Sequence, residues 1–252
     1  MTEPPPTGIA VGIYVDSSST SLKNGTSWAN AYTFLQDAWV AAKAGDTILV
    51  AQGTYYPDQG KNLSNDDRSL AFNIKDGVVI FGGFPSKGGS LSSRDWVSHR
   101  TILSGEIQQD DLKGNNSYHV VITQHVSAAT VIDGLIITKG YADGSDIAQS
   151  YGGGWYNNGS GSTGSSNPSI RNCSFIFNSA TNGAALYNDG DHNGNASPSI
   201  INSIFWNNTA GSNGGAIYNF ATQGGKSNSS MTNCLIRNNN AHYGGAIYNN
   251  GS

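Results

Sequence analysis

Hydrophobic residues in the second half of the chain occur in short runs that polar segments separate. The runs lie at Ser169–Phe177, Ser199–Trp206 and Met231–Ile236, and Gly, Asn and Ser make up most of the residues between them. No segment of this half keeps a helical period for long enough to form a crossover helix. The pattern therefore predicts strands of about three to six residues that end at turns.

Two short motifs recur in phase along the same half. The first is a run of small residues followed by a large apolar residue, Tyr and Asn, and its copies are 31, 31 and 30 residues apart. The second begins with Phe or Ile and ends in Asn three residues later. The copies end at Asn157, Asn188, Asn219 and Asn249 for the first motif, and at Asn178, Asn208 and Asn239 for the second. A fixed period of this kind indicates a solenoid in which each repeat forms one coil.

Parallel stacking of such coils places equivalent residues one strand spacing apart, about 4.8 Å, and forms ladders of identical side chains. Asn suits the left-handed bends between strands, and the Gly-Gly-Ala run allows a close approach of neighbouring backbone. The sequence therefore predicts an all-β fold, a right-handed parallel β-helix. The predicted ladders are Tyr156, Tyr187, Tyr218 and Tyr248, and Asn178, Asn208 and Asn239.

The first half predicts an N-terminal capping helix. Thr33 and Gln36 have the spacing of a capping box and Gly45 follows the segment, so a helix of about three turns is predicted. We expect it to cover the end of the solenoid, where strand edges would otherwise be unpaired. Its predicted apolar face is Leu35, Ala38, Trp39 and Ala42.

Further strands are predicted after this helix, with two long polar loops between them. The loops Pro57–Arg68 and Pro85–His99 are too long for tight turns and are expected to emerge on one side of the solenoid. The chain is expected to form one continuous domain, with an arm, strand and helix over 1–46, early coils over 47–150 and regular coils over 151–252. The predicted strands are Thr47–Ala51, Ala71–Ile74, Val78–Phe84, Thr101–Ser104, His119–Thr123 and Thr130–Thr138.

Composition narrows the possible partners. The chain of 252 residues has a formal net charge of -4, so it lacks the basic surface that nucleic acid binding needs. No apolar run approaches the roughly 20 residues of a membrane span. Charged residues make up only 12% of the chain, and residues 151–252 contain only five: Arg171, Asp189, Asp191, Lys226 and Arg237. The polar side chains of the second half must therefore be held by hydrogen bonds rather than by ion pairs.

Two resemblances follow from these motifs. The paired repeats, such as Phe175–Asn178 and Gly214–Ile217, resemble those of chlamydial polymorphic outer-membrane proteins and of secreted bacterial β-helix proteins. The segments Ile13–Asp16, Gly25–Tyr32 and Gly45–Val50, with Gly53-Thr54-Tyr55, resemble the opening of secreted pectate-lyase-like β-helix proteins. The resemblance implies the β-helix fold and an extracellular or cell-surface location, and it implies little about activity.

Enzymes of the pectate-lyase-like class need clustered carboxylates, often with Ca²⁺, and an Arg or Lys base. Stacked coils can bring loop residues to one face, but the favoured interpretation is that these charges solubilise a charge-poor solenoid. Trp96 and Tyr118 are candidate sugar platforms beside them. The loop charges are Asp58, Asp66, Asp67 and Arg68, then Arg94 and Asp95, and then Glu106, Asp110 and Asp111.

One segment has the opening pattern of a calcium loop. Asp189, Asp191 and Asn193 alternate before Gly194, so their oxygens can converge on a hard cation. The twelfth position is Ile200 rather than the usual Glu, which leaves an ordinary Asx-rich turn as the alternative. The predicted metal residues are therefore Asp189, Asp191 and Asn193, with Ca²⁺ as the one candidate cofactor.

Cys173 and Cys234 lie 61 residues apart, at equivalent positions two coils away from each other, with Ser203 between them. Two strand spacings are about 9.6 Å, which exceeds the roughly 7 Å that a disulfide can span between Cα atoms. The sequence therefore predicts two free thiols.

Two functions are compatible with these observations. The first is a non-catalytic extracellular structural or adhesive protein, which binds a second copy of itself and surface glycans. In that interpretation, the strand-like run Gly8–Val15 adds to the open last coil of the next subunit and builds a filament. The alternative is a polysaccharide-active lyase or hydrolase. A groove with three or more carboxylates and an Arg would favour the enzyme.

Overall fold

The computed structural model describes residues 12–20 and 23–251, and it shows a parallel β-solenoid of about seven coils. The strands of the described residues form four parallel sheets, A to D, that run along the solenoid. The predicted parallel β-solenoid is therefore confirmed. Residues 1–11 of the predicted arm lie outside the described residues, whereas its last four residues, Gly12–Val15, form the first strand.

The strands are numbered in chain order. Sheet A contains β1 (Gly12–Val15), β2 (Thr47–Ala51), β5 (Val79–Phe84), β8 (Val131–Asp133), β12 (Ser169–Arg171), β16 (Ser199–Ile201) and β20 (Ser230–Thr232). Sheet B contains β3 (Gly53–Tyr55), β6 (Thr101–Ser104), β9 (Leu135–Thr138), β13 (Ser174–Ile176), β17 (Ile204–Trp206) and β21 (Leu235–Arg237). Sheet C contains β4 (Phe72–Ile74), β7 (Val121–Gln124), β11 (Trp155–Asn158), β15 (Leu186–Asp189), β19 (Ile217–Ala221) and β22 (Ile247–Gly251). The short sheet D contains β10 (Tyr141–Ala142), β14 (Ser179–Asn182) and β18 (Thr209–Asn213).

Left-handed residues make the corner between sheets A and B. The predicted strand Thr130–Thr138 divides into β8 and β9 at Gly134, whose φ is 77°. Asn172, Asn202 and Asn233 occupy the same corner in the next three coils, with φ of 51° in each. Gly and Asn tolerate this conformation better than other residues do, so the sequence itself dictates where each coil bends.

The predicted helix is shorter than expected and is capped differently. Helix α1 spans Leu35–Ala41, and its N-cap is Phe34, which makes no side-chain cap bond. The capping-box prediction is therefore wrong, because both of its side chains find partners elsewhere: Thr33 donates to the carbonyl of Ser19, and Gln36 donates to that of Ala71 at 3.0 Å. The predicted apolar face is buried, but the role of α1 as an end cap stays a prediction. The other helical segments are α2 (Ile147–Ser150) and 3-10 turns at Trp28–Asn30, Leu91–Ser93 and Lys113–Asn115.

The core fills the inside of the coils as in-register columns of side chains. In sheet B, for example, the buried rings of Phe175 and Phe205 stack with centroids 4.7 Å apart. The α1 residues Leu35, Ala38 and Trp39 belong to the same core. Burial of these apolar columns supplies most of the stabilisation of the solenoid.

The two long loops leave the solenoid at different corners, so the expectation that they emerge on one side is wrong. Residues 57–71 connect sheets B and C, whereas residues 85–100 connect sheets A and B. The second loop folds back over the outer face of sheet A, where Trp28 packs against Phe84 at 5.2 Å and Leu91 joins the cluster. A second apolar cluster outside the coil therefore anchors this loop.

Cys173 and Cys234 are both free, as predicted. Ser174 pairs with Ile204, and Ile204 pairs with Leu235, so Cys173, Ser203 and Cys234 lie in one column. The Ser203 Oγ accepts the backbone N–H of Cys173 at 3.2 Å. The serine therefore lies between the two cysteines, one coil from each.

Candidate functional site

Two asparagine ladders run inside the coils. Asn178, Asn208 and Asn239 form the predicted one, in which each Nδ2 donates to the next Oδ1 at 3.0 and 2.9 Å. A second ladder follows the Tyr of the first motif, and its Nδ2-to-Oδ1 distances are 2.9, 2.8 and 2.7 Å. It consists of Asn157, Asn188, Asn219 and Asn249. These side chains hold neighbouring coils in register through amide-to-amide bonds.

The predicted tyrosine ladder lies on the outer face of sheet C. The rings of Tyr156 and Tyr187 are stacked with centroids 5.5 Å apart, whereas Tyr218 meets Tyr187 edge-on at 5.3 Å and Tyr248 at 5.2 Å. Burial raises the pKa of the Tyr156 and Tyr187 hydroxyls well above the ordinary value. Tyr156 and Tyr187 therefore stay neutral, and the ladder acts as packing on the outside of the coil.

The predicted calcium loop is closed by bonds within the protein. Asp189 accepts the Tyr156 hydroxyl at 2.8 Å on one oxygen and the N–H of Asp191 at 3.2 Å on the other. Asp191 accepts both donors of Thr222 on one oxygen and lies 2.7 Å from the His192 Nδ1 on the other. All four carboxylate oxygens thus have partners.

The third predicted ligand of that loop, Asn193, is exposed, and its backbone N–H donates to Gln223 at 3.1 Å. Within the described residues, no group of three or more His, Cys, Asp or Glu side chains is arranged to hold a metal ion. Calcium binding at Asp189, Asp191 and Asn193 stays a prediction, and the geometry is also that of an Asx-rich turn.

Most of the loop charges lie at one corner of the early coils. We call it the B–C corner and define it as residues 56–71, 105–120 and 139–143, which follow β3, β6 and β9. Arg68, Glu106 and Asp111 of the predicted set meet there with Lys139 and Asp143, which the sequence interpretation did not include.

Arg68 links residues 56–71 of the B–C corner to residues 105–120 and 139–143. Its Nε donates to the carbonyl of Asn116 at 2.6 Å, and its Nη2 donates to the carbonyl of Tyr141 at 3.1 Å and to Asp143. The guanidinium also lies 4.3 Å from the ring centroid of Tyr118. One face of this candidate sugar platform is therefore covered by Arg68.

Lys139 lies between two carboxylates. Its Nζ donates to Glu106 Oε2 at 2.6 Å and to Asp111 Oδ1 at 2.8 Å. The bond to Asp111 and the bond to Glu106 raise the pKa of Lys139, while Lys139 lowers that of the exposed Asp111. An ammonium held in this way stays protonated at neutral pH, so it is poorly suited to act as a base.

Asp58 is buried at the same corner, with 2% of its surface exposed. Burial raises its pKa, although one oxygen accepts the N–H of Asp66 at 3.0 Å. Three other predicted acids of these loops cap turns: Asp67 accepts from Ser69, Asp95 from Val97 and Ser98, and Asp110 from Leu112.

Arg94 and Trp96 lie away from this corner. Arg94 pairs with Asp133 at the corner between sheets A and B, and Asn172 donates to the same carboxylate at 2.9 Å. The guanidinium also lies 4.8 Å from the Trp96 ring centroid. The predicted charges therefore form two separate groups rather than one.

The sequence carried a signal for the missed residue Lys139. Ile137 pairs with Leu103, which pairs with Tyr55, so Lys139 follows β9 at the position where Gly105 follows β6. Alignment of the early coils on their strands, rather than on a fixed period, would have placed Lys139 beside Glu106.

No helix within the described residues is long and apolar enough to cross a membrane.

Comparison of the chain with protein-family models, with curated proteins and with solved structures finds no match.

Proposed function

We propose that the chain is a non-catalytic structural or adhesive β-solenoid that acts outside the cell or at its surface. The observation that carries the proposal is the pair of internal asparagine ladders, which lock successive coils together without ion pairs. A rod built in this way keeps its length and presents a repeating outer surface. It also depends little on ionic strength, because the ladders carry no charge.

The outer face of sheet B supports the adhesive part of the proposal. Phe177, Ile204 and Leu235 are 51%, 38% and 48% exposed along this face, although large apolar side chains are normally buried. The Phe177 and Trp206 rings lie 5.7 Å apart, and the Arg237 guanidinium lies 4.8 Å from Trp206. Surface glycans are the proposed partner, because sugar rings pack on flat aromatic side chains and Arg donates to their oxygens.

A polysaccharide-active enzyme is the second candidate. One observation favours it: the buried acids Asp58 and Glu106 lie at one corner with Lys139. Against it, the raised pKa of Lys139 and the three hydrogen bonds of Arg68 leave neither cation free to take a proton. We therefore propose the non-catalytic structural or adhesive function ahead of the enzyme.

A combined turnover and binding assay tests the choice. The chain is incubated with acidic and neutral polysaccharides, and unsaturated products, new reducing ends and retention on the immobilised glycans are all measured. The proposal expects retention without turnover, weaker retention for Trp206→Ala, and no change for the matched corner variant Glu106→Gln. Turnover that Glu106→Gln abolishes would establish the enzyme instead.

Head-to-tail assembly through the N-terminal arm and the last coil remains part of the proposal. It is supported by the strand character of Gly12–Val15, which pairs in parallel with Thr47–Val50. Strand addition of this kind uses backbone hydrogen bonds and does not close on itself, so it would extend the solenoid into a filament.

A further inference from the structure

Buried oxygen atoms without a hydrogen-bond partner are concentrated at the B–C corner. Of the nine buried side-chain N and O atoms in the described chain that lack a partner, five belong to this corner. All five are oxygens: Asp58 Oδ1, Glu106 Oε1, Asn115 Oδ1, Asn116 Oδ1 and Ser117 Oγ. Buried polar atoms are nearly always satisfied, so a cluster of acceptors in one place indicates something that the protein chain itself does not supply.

Four of these residues are almost completely buried. Asp58, Glu106, Asn116 and Ser117 are 2%, 5%, 4% and 0% exposed. Bulk water therefore does not solvate their free oxygens. An ionised carboxylate in such surroundings is costly unless a proton, a donor or a cation neutralises it.

The register of sheet B places the two acids at equivalent positions of neighbouring coils. Tyr55 pairs with Leu103, and Asp58 and Glu106 each follow three residues later, so they occupy equivalent positions on neighbouring coils. The spacing between such positions is about 4.8 Å. Both carboxylates act on the neighbouring Tyr56 hydroxyl: burial raises its pKa most, Lys139 lowers it, and Glu106 and Asp58 raise it.

The segment 116–117 is held next to Glu106. The Ser117 N–H donates to the carbonyl of Gly105 at 2.8 Å, directly beside Glu106. The Asn116 Nδ2 donates to the carbonyl of Lys139 at 2.8 Å. These two bonds fix Asn116 and Ser117 to the residues that flank Glu106 and face it from the next coil, and the Asn116 Oδ1 and Ser117 Oγ atoms have no partner of their own.

Each carboxylate has one oxygen engaged and one free. Glu106 Oε2 accepts a hydrogen bond from Lys139, and Asp58 Oδ2 accepts one from the Asp66 N–H. Glu106 Oε1 and Asp58 Oδ1 have no hydrogen-bond partner. The neighbouring Lys139 also serves Asp111, so its charge is shared. Asp58 also lies among like charges, because burial raises its pKa most and the Asp66 and Asp67 carboxylates raise it further.

We propose that the B–C corner binds one calcium ion through Asp58 Oδ1, Glu106 Oε1, the Asn116 amide oxygen and the Ser117 hydroxyl. All four donors are hard oxygens, which calcium prefers. They come from two irregular loops, and calcium accepts irregular coordination more readily than magnesium does. The site is separate from the Asp189–Asn193 loop, and it would pin residues 56–71 to residues 105–120.

Calcium titration of the full chain tests the proposal. After chelator treatment, calorimetry with calcium alone should give one site per chain. At about a hundredfold excess over Kd, the melting temperature should rise by roughly 5–10 °C. Glu106→Gln and Asp58→Asn keep the side-chain shape and remove one charge, and each should abolish both the heat and the shift.

Two controls keep the outcome decisive. Asp191→Asn removes a carboxylate from the other candidate loop and should leave the calcium response unchanged. Without metal, Asp58→Asn should have a melting temperature at or above that of the parent, because the substitution removes the charge repulsion at residue 58. This result separates a lost ligand from a failure to fold.

The proposal is overturned by a parent chain that shows no heat and no shift, or by a response that only Asp191→Asn removes. It is equally overturned if the metal-free parent gains stability from pH 7 to pH 5 and ignores calcium, since a proton then fills the corner.

Discussion

Replacement of Asn208 by alanine removes the middle member of an internal ladder. Asn208 is fully buried, and its Oδ1 accepts the backbone N–H and the Nδ2 of Asn178, each at 3.0 Å. Its Nδ2 donates to the carbonyl of Phe175 and to Asn239 Oδ1, each at 2.9 Å. Asn208→Ala therefore removes the side-chain partner of the buried Asn178 N–H and of the Phe175 carbonyl, whereas Asn239 Oδ1 keeps the backbone N–H of residue 208.

The magnitude follows from these contacts. The Asn178 N–H and the Phe175 carbonyl each lose a partner in the dry interior, at about 1–3 kcal/mol per group. A small cavity adds to this, so the expected loss of unfolding free energy is about 3–5 kcal/mol. For a chain of this size, that corresponds to a fall in melting temperature of roughly 6–20 °C.

Urea denaturation measures the loss, with the midpoint expected to fall at an unchanged slope. The matched control is Asn73→Ala, because Asn73 is an exposed strand residue with a single side-chain bond to Ala71 at 3.2 Å. Its expected effect is within about 0.5 kcal/mol. If both variants lose the same stability, the ladder does not hold the coils and the reasoning fails.

Three further predictions follow from buried groups. Burial raises the pKa of the Cys173 thiol to about 12. An alkylating reagent at pH 8 should therefore modify only the partly exposed Cys234 in the folded chain, and both thiols after denaturation. Mass spectrometry that finds Cys173 modified first in the folded chain would contradict this. Burial also raises the pKa of Asp189 in the folded chain, so the parent loses stability as pH rises through that pKa. Asp189→Asn does not titrate there, so urea titrations should show it gaining stability relative to the parent between pH 4 and pH 7. A variant whose stability relative to the parent stays the same or falls over this range would oppose this. If the Asp189–Asn193 loop binds calcium, chelation should lower the melting temperature and Asp191→Ala should abolish that sensitivity, whereas identical melts with and without chelator would remove this loop as a site.

The regular coils were predictable because each local signal agreed with the others. The spacing of Tyr156, Tyr187 and Tyr218 gave the register that the strand pairing shows. The second asparagine ladder carried the same signal: side chains alternate along a strand, so an outward Tyr156 requires an inward Asn157. The left-handed bends were expected at Asn, and Asn202 and Asn233 bear this out.

The early coils were less predictable because their lengths vary. Tyr55, Leu103 and Ile137 are aligned in sheet B, yet they are separated by 48 and 34 residues, so no period relates Asp58 to Glu106. Only the pairing of the strands brings these two acids to one corner. The sequence named both residues but could not place them beside Lys139.

The helix cap failed for a different reason. Thr33 and Gln36 have the right spacing for a capping box, but local pattern does not reveal competing partners. In the fold, the Gln36 amide reaches the carbonyls of Pro57 and Ala71, which lie more than twenty residues away. Long-range acceptors therefore decided the local geometry.

The register of the stacked coils is tested most directly by a new thiol at Ser203. This residue lies one coil from both Cys173 and Cys234, about 4.8 Å in strand spacing, which is within the range of a disulfide. The fold predicts that oxidised Ser203→Cys forms one intramolecular bridge between the new thiol and Cys173 or Cys234, and that the parent chain forms none. A disulfide between Cys173 and Cys234 in the parent would contradict the stacking of one coil per repeat. So would an oxidised variant in which the new thiol bridges neither Cys173 nor Cys234.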